Sequence, residues 1–192
     1  MSEVPSISAD LLETINTIDA EHLLRTSNRY IYSDLYDSGL TFATMESCTG
    51  GSVASAFTDI EGSTKWFKGG IVSYTTESKI KFGVPEETIR KYTVYSESTA
   101  EAMAKVAAET LDADIGIGVT GRFPVSRACV QRNNAEDTAD LVWISIYDRR
   151  SGTYFNNVIS VGDQEDRIAQ KNVVCSEICQ MLWWDIFDKA PF

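Results

Sequence analysis

Histidine is almost missing from this 192-residue chain: His22 is the only one. A metal centre built on several imidazoles is thereby excluded, and so is a serine–histidine–carboxylate triad unless His22 is its base. His22 lies in a stretch of helical periodicity and reads as a structural residue. Cysteine is also sparse. Cys48, Cys129, Cys175 and Cys179 form no dense disulfide framework, which fits a reducing compartment. Cys175 and Cys179 are four apart on an expected helix, so they share a face and read as buried thiols. No apolar run is long enough to span a bilayer. The opening MSEVPSISADLLE is too acidic and polar for a signal or transit peptide. Positive charge is in deficit, with 17 Lys and Arg against 28 Asp and Glu and a net charge of -11. That balance speaks against nucleic acid or an anionic membrane as partner, while leaving a small anionic ligand open. A cytoplasmic location is expected.

What is present is ordinary for a folded domain: 43% hydrophobic and 23% charged residues, in a length that buries one sizeable core. Residues 8–38 read as helical, with Gly39 as a stop. Strands are expected over 40–45, 69–74 (as a buried strand), 114–120, 141–147 and 154–161. The last two pair across Asp148-Arg-Arg-Ser-Gly152 as a hairpin. Helices are expected over 50–58, 75–82, 85–92, 96–111 and 164–187, with Ser96 as an N-cap and Pro85 in a first turn. This alternation implies an α/β fold: a three-layer α/β/α sandwich, with a mixed sheet covered on both faces and a late β-hairpin. Residues 1–28 form an N-terminal helical arm, and 29–192 form the globular domain. Trp183 and Trp184 are expected in the core or at a dimer interface.

Ligands of such sheets sit at the carboxyl ends of strands. Three polar ends converge here: Ser47-Cys48-Thr49-Gly50, Tyr74-Thr75-Thr76 and Thr120-Gly121. Ser47 is either a helix cap or a nucleophile. As a nucleophile it needs a base, and with histidine scarce a desolvated lysine is the substitute. Lys79 is the candidate, with Tyr74 as a proton relay or donor. Gly50 and Gly51 leave backbone N–H groups at a helix start, where an oxyanion, carboxylate or phosphate can bind. Glu46 reads either as an exposed carboxylate or as a group orienting the loop or lysine.

Several ordered motifs go further. Glu46-Ser47-Cys48-Thr49-Gly50-Gly51 is an intact ESCTGG; Lys65 to Tyr74 reads KWFKGGIVSY, and Tyr74 to Lys79 reads YTTESK. Tyr95-Ser96-Glu97 follows, with Ala102-Met103-Ala104 and then Val119-Thr120-Gly121. In these blocks the chain from about Leu40 to its end resembles the C-terminal domain family of the competence-damage-inducible protein CinA. Active members hydrolyse the carboxamide of nicotinamide mononucleotide to a carboxylate and ammonia. The resemblance implies Ser47 as nucleophile, Lys79 as base and Tyr74 as assistant, with backbone amides near Cys48 and Gly50 holding the oxyanion. It implies substrate contacts from Glu46, Cys48, Thr49, Gly50, Gly51, Thr120, Gly121 and Arg122. It implies no metal, no cofactor and a homodimer.

The chain departs from the family pattern after Gly121. The family continues through a glycine-rich GxAGPxGG loop and a KPVG turn; this chain reads RFPVSRACVQRNNAEDTADLVW. Asp137-Thr138-Ala139-Asp140 stands at the turn, and Gly162-Asp163-Gln164 stands where GDR is usual, with Arg167 shortly after. Two readings follow. In one, the protein is an amidohydrolase with a rebuilt substrate loop, in which Arg122, Arg127 or Arg132 holds the substrate phosphate. In the other, it is a catalytically degenerate relative that binds a nucleotide or a partner protein.

Overall fold

The computed structural model describes residues 31, 33–124, 141–162, 164 and 166–188. The arm over residues 1–28, His22, Arg127, Cys129, Arg132 and the Asp137–Asp140 stretch lie outside the described residues. Residues 31 and 33–37 end a helix, and Gly39 follows at φ 68. Beyond it the order is β1 (Phe42–Glu46), α1 (Ser52–Thr58), β2 (Phe67–Val72), α2 (Thr76–Lys81), α3 (Glu86–Tyr92) and α4 (Glu97–Thr110). Then come β3 (Ile115–Gly121), β4 (Leu141–Asp148), β5 (Thr153–Ser160) and α5 (Arg167–Met181), which runs into a π-helical turn at Leu182–Ile186.

The five strands form one sheet in the order β2-β1-β3-β4-β5. β1 pairs in parallel with β2 and β3, whereas β3–β4 and β4–β5 are antiparallel. The sheet is therefore mixed, and β4–β5 is the anticipated hairpin. Side chains alternate along a strand, so each strand feeds two layers. Phe42, Ile115, Ile117, Val119, Val142, Ile144 and Ile146 enter one core with α1, α5 and Ile31 and Leu35. Phe42, Phe57 and Trp66 meet there ring to ring, the last two edge-on at 5.6 Å. Trp183 is buried in this core, and its indole N–H donates to Asp34 at 2.9 Å; Trp184 is exposed. Ala43, Met45 and Ile71 face the opposite layer, where they pack on Met103 and Ala107 of α4.

Two details differ from expectation. β2 is an edge strand with only Ile71 buried, because it pairs with β1 on one side alone. Continuous apolarity in Gly-Gly-Ile-Val looks the same in an edge strand as in a central one. β1 extends one residue further, to Glu46, and all five of its residues are buried. That extension shapes the site.

Candidate active site

Glu46 ends β1 with 0% of its surface exposed, although a carboxylate is expensive to bury. It is held by three backbone donors. The amides of Gly51 and Val53 donate to Oε2 at 3.0 and 3.1 Å, and that of Ala54 donates to Oε1 at 2.8 Å. These are the orphan N–H groups of the first turn of α1, and the strand-borne carboxylate satisfies them. Gly51 at the N-cap position has φ 98 and offers no side-chain cap. Glu46 is thus neither exposed nor a substrate contact: it caps α1. Ser47 is released from that task.

Ser47 follows immediately, its own amide donating to Val119 O of β3 at 3.0 Å. Gly50 closes the turn at φ 61, and its amide donates to Ser47 O at 3.0 Å. The two glycine amides expected to meet a substrate are therefore both committed inside the protein. Across the cleft, Thr75 caps α2, accepting from the Ser78 amide at 3.2 Å while the Ser78 hydroxyl accepts from the Thr75 amide at 3.0 Å. This reciprocal cap starts α2 at a defined rotation and points Lys79 inward. Only 2% of Lys79 is exposed. Its Nζ lies 2.9 Å from Ser47 Oγ and donates to Ser73 O at 2.8 Å.

Neither of those partners carries a charge. Burial pushes the Lys79 ammonium below its ordinary value of 10.5. A neutral Lys79 amine keeps one N–H on Ser73 O and directs its lone pair at the Ser47 hydroxyl, which is the geometry of a nucleophile and its base. The Cys48 thiol, by contrast, is pushed up to about 12 by burial, against hydrogen bonds from the backbone at Cys48 and Thr49. It is protonated at neutral pH and does not compete as a nucleophile.

The Ser47–Lys79 pair lies in a cleft of about 400 Å³. Of the residues singled out in the sequence, Ser47, Cys48, Gly50, Tyr74, Lys79, Gly121 and Arg122 line it. Glu46, Thr49, Gly51 and Thr120 do not. Thr49 is fully buried, and the Thr120 hydroxyl donates to Val94 O at 2.7 Å, tying the end of β3 to the loop before α4. Tyr74 stands at the mouth with 69% of its surface exposed. Sequence reasoning gave no cleft role to Tyr95, Phe123, Arg167 or Lys171, all of which line it. For the last two a signal existed: cations near the N-terminus of a helix oppose its dipole, and α5 has no acidic residue in its first turn.

An α/β/α sandwich with a buried serine–lysine pair at the carboxyl edge of its parallel strands is the class that fold and site define. The family model described as the CinA C-terminal domain matches residues 25–182, and the chain belongs to that family. A CinA-like protein of Flavobacterium psychrophilum is 31% identical over 153 residues, covering 79% of this chain and 34% of that protein. A CinA-like protein of Kosmotoga olearia is 46% identical over 88 residues, 45% of this chain and 21% of that protein. The chain thus spans about a third or less of these curated relatives' length. Among solved structures, the competence/damage inducible protein CihA from Agrobacterium tumefaciens superposes with a TM-score of 0.72 at 30% identity, over 84% of this chain and 94% of that one. The competence damage-inducible protein A from Klebsiella pneumoniae has a TM-score of 0.73 at 21% identity, over 87% of this chain and 99% of that one, and shares the fold. No helix among the described residues is long and apolar enough to cross a membrane.

Proposed function

We propose that this protein is a metal-independent amidohydrolase of the nicotinamide-mononucleotide deamidase type, with Ser47 as its nucleophile. The observation that carries the reading is the 2.9 Å contact between Ser47 Oγ and the buried Nζ of Lys79. Ser47 Oγ attacks the carboxamide carbon while neutral Lys79 takes its proton. The oxyanion takes over the backbone N–H groups of Cys48 and Thr49, which the weakly accepting Cys48 sulfur otherwise holds, since those of Gly50 and Gly51 are committed to stronger oxygen acceptors. The ammonium formed on Lys79 then gives its proton to the departing nitrogen, which leaves as ammonia with the C–N bond broken. In the second half, water adds to the acyl carbon, Lys79 accepts a proton from it, and that proton returns to Ser47 Oγ as the carboxylic acid is released. Tyr74, exposed at the mouth, assists as a proton relay or hydrogen-bond donor to the departing nitrogen.

The test is ammonia release from nicotinamide mononucleotide by the protein and its Ser47→Ala variant. Release that falls at least ~1,000-fold in the variant, the usual scale for losing a nucleophile, supports the reading. Absence of release at high enzyme concentration sinks it. Calorimetric binding of the intact nucleotide in that case would favour the catalytically degenerate relative instead.

A further inference from the structure

The chain carries a net charge of -11, yet beside Lys79 its active-site cleft is lined by three cations: Arg122, Arg167 and Lys171. Lys79 is withdrawn from recognition by its place beside Ser47. Arg167 and Lys171 are four residues apart on α5 and therefore share a face. Each is placed by something specific. The Arg167 guanidinium lies 5.1 Å from the centroid of the Phe123 ring, another cleft residue, which fixes its plane. A Cβ built on Gly50 would stand 3.6 Å from Lys171 Nζ, so this ammonium sits over the turn that carries the nucleophile. Asp166, which precedes Arg167, is turned back to cap α5, accepting from the Ala169 amide at 2.8 Å.

The competing anion site is closed. The start of α1, the place that the glycine pair suggests, is already filled by the Glu46 carboxylate. An anionic substrate group entering the cleft thus meets α5 rather than α1.

We propose that Arg167 and Lys171 form the anchor for a phosphate monoester of the substrate, set apart from the Ser47–Lys79 pair that cleaves its amide. The proposal rests on the amidohydrolase reading above for its substrate, and its own content is where the anion is held. It adds a pair on α5 to the expectation that Arg122, Arg127 or Arg132 does so; Arg122 lines the same cleft, and the other two lie outside the described residues. The substrate class becomes amides that carry a detached phosphate, as in a mononucleotide. The geometry suits two donors: the planar arginine grips two phosphate oxygens, and the lysine supplies a mobile point charge.

Two measurements test it. The first is independent of turnover: inorganic phosphate binding, followed by calorimetry, for the wild type, Arg167→Ala, Lys171→Gln and a control, Lys105→Ala, whose side chain is exposed on α4. Phosphate affinity is expected to fall ~10-fold in each cleft variant and to hold in the control. Equal affinity in all four proteins overturns the proposal. Because Arg167 also packs on Phe123, Lys171→Gln decides the matter if Arg167→Ala misfolds. The second is steady-state hydrolysis of the mononucleotide and of its dephosphorylated nucleoside. Both cleft variants are expected to raise KM for the nucleotide ~10-fold or more at little cost in kcat, and to leave the nucleoside unchanged. An equal loss on both substrates overturns the assignment. Where the wild type hydrolyses neither, the amidohydrolase reading fails by itself, and the phosphate titration still decides the anchor.

Discussion

At the scale of single residues, Glu46 and Ser47 divide two tasks that the sequence left tangled. A serine just before a glycine pair and a short helix is the usual picture of a cap. The structure gives the cap to Glu46, because β1 runs one residue further and turns that carboxylate under the first turn of α1. Lys79 is the costly residue of the site. Its ammonium is favoured in water and disfavoured in the fold, so the unfolded chain binds a proton that the native chain does not between the lowered native value and 10.5. Across that window stability rises with pH; below it the full cost of burying Lys79 is felt. Lys79→Met keeps the aliphatic stem and removes the titration. The stability of the wild type relative to this variant is therefore expected to improve as the pH rises through the window below 10.5, by up to ~1.4 kcal/mol for each pH unit inside it. Urea unfolding of both proteins at several pH values measures it. A difference flat with pH would mean that Lys79 is charged in the native state and cannot serve as the base.

At the scale of elements, the most demanding contact is between β3 and α4. Gly116 and Gly118 face the helix, and a Cβ on Gly118 would stand 2.1 Å from Ala100 O and 2.5 Å from the Ala104 amide nitrogen. A Cβ on Gly116 would lie 1.9 Å from Ala104 O. The obstructing atoms are helix backbone and cannot swing aside, so α4 lies directly on the strand only because both residues lack side chains. Gly118→Ala should cost about 3 kcal/mol or more, the upper end of overpacking. It should lower the thermal midpoint by ~6–12 °C, since ~1 kcal/mol is worth 2–4 °C at this size. A midpoint within a degree or two of wild type would show that the layers separate without penalty. Such elements were legible in the sequence where pattern and cap agree. Ser96 caps α4 as expected, accepting from the Thr99 amide at 3.2 Å, and the hairpin pairs in register from Leu141–Ser160 to Asp148–Thr153. The status of β2 was not legible, because a strand's partners depend on the order of the sheet and not on its own residues. Lys79 was found from the scarcity of other bases. Arg167 was noted only beside Gly162-Asp163-Gln164 and Lys171 not at all, because they enter the cleft from an element more than 80 residues beyond Lys79 in sequence, and only the tertiary fold brings that helix over Gly50.

At the scale of the whole molecule, two fields oppose each other. The net charge of -11 repels an anionic substrate at long range, while the cations of the cleft attract it at contact. Salt separates them by distance. At about 0.1 M the screening length is ~10 Å, and toward 1 M it shrinks to ~3 Å. Repulsion from charges spread over the surface is thus largely gone at moderate salt, and what further salt removes is the attraction inside the cleft. The quantity to follow is the ratio of kcat/KM for the phosphorylated amide to that for its dephosphorylated nucleoside, because general effects of salt on the fold and on the amide chemistry cancel in it. Between about 0.1 and 0.5 M the ratio is expected to fall by ~3- to 10-fold, the loss of one or two phosphate-cation contacts. The same ratio in Lys171→Gln should start lower and fall less. A ratio that holds constant, or rises with salt in the wild type, would place the phosphate outside the cleft and leave Arg122, Arg167 and Lys171 without a substrate to hold.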